Sequence, residues 1–258
     1  MSRNLAPQLL AEAEARLARV HERIERACAS AGRSPSEITL VGACKRQPVD
    51  RIAAAVCAGL RELGENYVQA AETARPLLEK RLGEHFGEAP APCPGWRMIG
   101  HLQRNKAAAA AKVFSAVDTV DTGRLARALA GRAEALGGIM EVCLQVNLTG
   151  EPSKSGCSEE NLSELLADCL GLPGLRLVGL MTLPPADPEA ARSAFARLRD
   201  LRDTLSKTPG ARTLRHLNMG MSGDLEVAIE EGATVVRVGT DLFGERSDAS
   251  RERPAKAT

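Results

Sequence analysis

Apolar residues recur at helical spacing at the head of the chain: Leu5, Leu9, Leu10, Ala13, Leu17, Val20 and Ile24, with charged residues between them. That period predicts an amphipathic helix over residues 4–31 whose stripe packs on a larger body. The pattern then changes. Short apolar, β-prone runs stand at 38–44 (ITLVGAC), 60–65 (LRELGE), 96–100 (WRMIG), 115–120 (SAVDTV), 140–148 (MEVCLQVNL), 175–183 (LRLVGLMTL), 214–219 (LRHLNM) and 233–238 (ATVVRV). Helix-like stretches such as VDRIAAAVCAG, GRLARALAGRAEAL and SEENLSELLADCLG separate them. Strands alternating with helices imply parallel β-α units, and eight units predict closure into a (β/α)8 barrel rather than an open doubly wound sheet.

Residues 83–95 (GEHFGEAPAPCPG) are rich in Gly, Pro and Ala and read as a surface loop. No linker divides residues 1–246, which read as one barrel domain with an added N-terminal helix. Residues 247–258, charged and rich in small side chains, read as a disordered tail.

Composition narrows the partners. Lys plus Arg total 34 against 33 Asp plus Glu, a formal charge of +1, which gives no general electrostatic reason to expect nucleic acid or an acidic membrane. Aromatics at 2% argue against a stacking platform for single strands. The charged N-terminus is neither a signal peptide nor a span, and no later run reaches roughly 18 apolar residues. Seven cysteines without a CxxC pair read as reduced thiols. A cytoplasmic, soluble protein is expected, with a small anionic ligand left open.

In such a barrel, chemistry collects at the C-terminal ends of the strands and phosphates bind near the last two. On that rim, Gly220, Ser222 and Gly223 of MGMSGD precede a helix expected near Asp224, and Gly239 and Thr240 of RVGT follow the neighbouring strand. Short Gly/Ser loops are mostly ordinary turns, but two on adjacent final strands suit a phosphate. Lys45 ends the first strand. It reads either as a solvated loop lysine or as an amine desolvated at the mouth of an apolar barrel and partly nucleophilic. A Schiff-base lysine facing a phosphate cradle is what pyridoxal phosphate requires. Arg237 reads as a strand-end ion pair or as a permanent cation beside the pyridine nitrogen, where it would weaken the electron sink.

Lys45 with GENYVQ, WRMIGHLQRNK, NLTGEPSKSG, GLMTLP and MGMSGDLEVAIEEGATVVRVGTDLFG, in this order, closely resembles the YggS/PROSC family of pyridoxal phosphate homeostasis proteins over residues 5–246. The resemblance implies a single barrel of pyridoxal-phosphate fold type III, like the N-terminal domain of alanine racemase. It implies Lys45 as the Schiff-base residue, Asn66 near the cofactor, Ser222, Gly239 and Thr240 on the phosphate, and Arg237 facing the pyridine nitrogen. It also implies a cytoplasmic monomer that holds pyridoxal 5'-phosphate and supplies it to apo-enzymes, influencing amino-acid and keto-acid balance without established turnover. The alternative is an enzyme with weak amino-acid racemase-type activity. A second acid-base group is expected to be missing, because Tyr67, the sole tyrosine, reads as a packing residue. Cys44, Asn218 and Gly223 depart from the family's usual serine, small hydroxyl residue and aspartate. Lys154 reads as a solvated loop lysine, with a second reading as an amine or phosphate contact that helps the cofactor leave.

Overall fold

The structure is a computed structural model and describes residues 4–151 and 154–244; the expected tail lies outside the described residues. Eight parallel strands close in sequence order into a barrel: β1 (Thr39–Ala43), β2 (Glu62–Glu65), β3 (Gly95–Met98), β4 (Ala116–Val120), β5 (Met140–Gln145), β6 (Leu175–Met181), β7 (His216–Asn218) and β8 (Val235–Val238). Val41 pairs with Glu62 on one side and Arg237 on the other, so β1 seals the cylinder between β2 and β8. Each of the eight expected strands is present.

Around them lie α1 (Pro7–Ser30), α2 (Val49–Ala58), α3 (Val68–Phe86), α4 (Ala107–Val113), α5 (Gly123–Ala135), α6 (Glu159–Cys169), α7 (Pro188–Leu205), α8 (Leu225–Glu230) and α9 (Thr240–Phe243). Helix α1 begins on Pro7, whose missing N–H costs nothing in a first turn. It buries Ala13, Leu17, Val20, Ile24, Ala27 and Cys28 against α2, α8 and α9. Burying each large aliphatic side chain contributes about 1.5–3 kcal/mol, enough to fasten the helix across the β8–β1 seam. The expected 83–95 loop is shorter than its composition suggests, because α3 continues to Phe86 and Gly95 already pairs with Glu62.

Alternation divides each strand between two environments. Trp96, Met98, Leu144, Leu217 and Val236 face outward into the main apolar cluster beneath the helices. Inward positions carry a different chemistry from the apolar plug expected of such a barrel. Arg97 of β3 donates to Asp118 of β4 at 2.7 and 2.9 Å and approaches Glu141 of the non-adjacent β5 at 3.8 Å, which only a side chain inside the cylinder can do. Gln145, Asn218 and Arg237 are likewise buried. Burial opposes the Arg97 charge, but the bidentate Asp118 carboxylate outweighs it and raises the Arg97 pKa. The barrel interior therefore combines hydrogen-bonded polar groups with a small apolar cluster of Cys143, Val178 and Met181. Among the described residues, no helix is long and apolar enough to cross a membrane.

Candidate functional site

A cavity of about 560 Å³ opens at the C-terminal ends of the strands. Lys45, Asn66, Ser222, Arg237, Gly239 and Thr240 all line it, although they come from the loops after β1, β2, β7 and β8 and from β8 itself. A volume of this size lies within the ordinary range for small-molecule sites.

Lys45 is placed by a tight turn in which the Gln47 N–H donates to the Cys44 carbonyl at 2.8 Å and Arg46 adopts φ +57°. A non-glycine residue in that left-handed region stores about 1–3 kcal/mol, strain that the surrounding contacts must hold. The preceding Cys44 is fully buried and its Sγ donates to the Gly42 carbonyl at 3.2 Å, so this departure from serine turns into the wall rather than toward the lysine. Asn66 is set by two neighbours. Its N–H donates to buried Glu65 at 2.9 Å, and Gly100 lets the two backbones touch, since a Cβ there would lie 2.4 Å from the Asn66 carbonyl oxygen.

On the same rim, in the loops after β7 and β8, the amides of Ser222, Gly223, Gly239 and Thr240 meet no protein acceptor among the described residues. Unpaired N–H groups converging on a cavity form an anion cradle. Gly220 bends the loop at φ +95°. The expected helix follows at Leu225, and its single turn and a half presents the loop rather than supplying a strong dipole.

Arg237 is 4% exposed; it donates to the Asn218 side-chain oxygen, to the Asn218 carbonyl at 3.0 Å and to the Thr182 carbonyl at 3.1 Å. Burial lowers its pKa to about 10, with Asp118 and Asp224 pulling the other way, so it remains cationic at neutral pH. It is a buried group in a hydrogen-bonded stack, not an exposed strand-end ion pair.

Two residues stand differently from expectation. Tyr67 is 56% exposed rather than packed, and its ring centroid lies 5.9 Å from Lys45 Nζ. Lys154 is not a solvated lysine: it lines the cavity, 2.9 Å from Glu151 and 3.2 Å from the Pro184 carbonyl. The sequence reading also missed Gln145 and Gln47, whose Oε1 atoms are buried without a partner among the described residues and belong to residues lining the cavity. Unsatisfied acceptors of this kind cost about 1–3 kcal/mol each unless a ligand donates to them. Nothing in the alternating pattern of MEVCLQ marked its last residue as a site group.

The profile of the alanine racemase N-terminal domain family matches residues 16–247. A Pseudomonas aeruginosa pyridoxal phosphate homeostasis protein is 43% identical over 232 residues, 89% of this chain and 94% of that one. The chain belongs to the family of pyridoxal phosphate homeostasis proteins. A second member of that name, from Aquifex aeolicus, is 41% identical over 90% of this chain and 97% of its own length. Among solved structures, PipY of Synechococcus elongatus with PLP bound is 32% identical, with a TM-score of 0.73 over 86% of this chain and 100% of that one. An alanine racemase of Clostridium difficile shares the barrel at 15% identity and a TM-score of 0.66, over 89% of this chain and 57% of that one. That last likeness speaks of fold alone.

Proposed function

We propose that this homeostasis-family chain binds pyridoxal 5'-phosphate covalently through Lys45 and supplies it to apo-enzymes of the same compartment, with effects on amino-acid and keto-acid balance. The supporting observation is the convergence, in one cavity, of an amine, four unpaired backbone amides and a buried cation. When bound, the cofactor supplies an aldehyde for the amine and a phosphate for the cradle. The chain's own residues do the rest. Ser222, Gly239 and Thr240 hold the phosphate. Arg237, held in place by the Asn218 and Thr182 oxygens, would supply the cation for the ring nitrogen. Asn66 orients the ring from the β2 side. A cation at that nitrogen disfavours its protonation, so the site holds its cofactor without making it a strong electron sink.

The experiment is an absorbance spectrum of the reconstituted protein beside Lys45→Ala. The expected wild-type band near the visible edge is abolished by borohydride and missing in the variant; a colourless reconstituted wild type refutes the reading. Transfer of the bound cofactor to an apo-enzyme then tests delivery. The second reading, a weak amino-acid racemase-type enzyme, draws on Tyr67 standing beside Lys45. Sustained conversion of L-amino acids that Tyr67→Phe removes would establish it over simple carriage.

A further inference from the structure

Arg23 lies on α1, outside the cavity, yet its guanidinium is spent on the segments that carry the phosphate cradle. Nε and Nη2 grip the two carboxylate oxygens of Glu226, in the first turn of α8, at 2.7 and 2.8 Å. Nη2 also donates to the Ser222 carbonyl at 2.8 Å, and Nη1 to Asp241, the residue after Thr240, at 2.5 Å. One side chain near the start of the sequence thus ties together two loops about 200 residues further on. All three nitrogens of the fork are used, which a lysine could not reproduce. The Arg23 side chain is only 24% exposed, and its hydrogen bond with Glu226 raises its own pKa and lowers that of the carboxylate.

The tie has a steric and an electrostatic side. The 221–223 loop is open around Gly223, where an added Cβ would meet nothing within 4 Å, so packing alone does not fix its amides. Around those amides stand Glu226 and Asp241, which Arg23 pairs with, and Asp224, whose Oδ1 accepts the Met221 N–H. Left uncompensated they would repel the dianion that the cradle is built for. Arg23 holds the loop by the Ser222 carbonyl, so that the Gly223 N–H of the same planar peptide points the opposite way, and offsets that negative charge.

We propose that Arg23 is a positioning residue for the phosphate end of the site, so that docking of the N-terminal helix sets how tightly a phosphate-bearing ligand is retained. This rests on the cofactor assignment proposed above. The test compares equilibrium affinities of the full chain for pyridoxal 5'-phosphate and for pyridoxal, the same aldehyde without the phosphate. In Arg23→Ala the phosphate-bearing ligand should bind about tenfold more weakly, as expected for losing charge-assisted hydrogen bonds, while pyridoxal stays within about twofold of its wild-type affinity. Arg23→Lys should recover part of the loss, and adding Glu226→Gln to Arg23→Ala should recover another part. Arg33→Ala provides the structural control. Arg33 donates to the Ile229 and Ala233 carbonyls at 2.8 Å at the other end of α8, so its loss should lower stability without changing the ratio of the two affinities. An Arg23→Ala protein that loses both ligands equally, or neither, overturns the proposal. Should Arg23→Ala fail to fold by circular dichroism, Glu226→Gln and Asp241→Asn read the same ratio one acceptor at a time. A wild type that binds neither aldehyde refutes the cofactor assignment itself, a result distinct from an unchanged ratio in a protein that does bind.

Discussion

Asn218 and Arg237 form a buried pair across β7 and β8: one guanidinium nitrogen, Nη1, donates to both the side-chain and main-chain oxygens of Asn218. The other terminal nitrogen reaches the Thr182 carbonyl at the end of β6. Asn218 is therefore the residue that aims the cation.

Removing that cation should be costly even without ligand. Arg237→Met leaves the oxygens of Asn218 and Thr182 buried without their donor, and breaking such an arrangement costs about 2–4 kcal/mol. The urea midpoint of the cofactor-free protein should fall accordingly with little change in slope. A midpoint equal to wild type would show that the pair contributes nothing to the fold.

Two glycines of the loop after β7 should respond in opposite directions. At Gly220, φ is +95° and a Cβ would sit 2.5 Å from that of Ala228, so Gly220→Ala should destabilise by about 1–3 kcal/mol. Gly223 has an ordinary φ and open space around the missing side chain. Gly223→Ala should stabilise by about 0.4–1 kcal/mol, chiefly by restricting the unfolded chain. Thermal unfolding of both variants checks the contrast, and equal effects would contradict it.

These residues show what the sequence made legible. The eight strands were readable because outward positions such as Trp96, Leu144 and Val236 repeat an apolar signal that packing requires. That Gly220, Ser222, Gly239 and Thr240 stand near the ends of the last two strands was readable from their residue types and spacing, and the structure brings Ser222, Gly239 and Thr240 to one cavity. The polar barrel interior was not: alternation says that Arg97 and Asp118 share a side of their strands, but not that this side is enclosed. Tyr67 was misplaced because the residue after GEN could have faced the core or the rim. Arg23 sits beside the apolar stripe of α1, and its purpose depends on partners about 200 residues away that no local pattern names.

Thiol chemistry should single out one surface position. Cys93 is exposed, whereas burial pushes the Cys44 and Cys143 thiols far above their ordinary range, Cys157 to about 11 and Cys169 to about 12. Since the thiolate is the reactive form, brief iodoacetamide treatment at neutral pH should label Cys93 first, as read by peptide mass spectrometry. Rapid labelling of Cys44, next to Lys45, would mean that the β1 end opens in solution.

Glu65 should make stability decline as pH rises. It is 3% exposed, and burial raises its pKa against the opposing pull of the Asn66 and Tyr67 amides and the Lys45 charge. A carboxyl raised in the folded state binds more protons there than in the unfolded chain. Its contribution is therefore most favourable below the ordinary carboxylate pKa and is lost as pH climbs from that value through the raised one. Glu62 and Asp121, raised mainly by burial as well, add to the same slope. Glu65→Gln removes one titrating group and keeps an oxygen that can accept the Asn66 N–H, the bond seen at 2.9 Å. Urea midpoints of the two proteins should therefore differ in a pH-dependent way, the variant gaining relative to wild type as pH rises from about 4. A difference independent of pH would show that Glu65 is ionised without cost in the folded chain, and that the Asn66, Tyr67 and Lys45 contacts fully offset its burial.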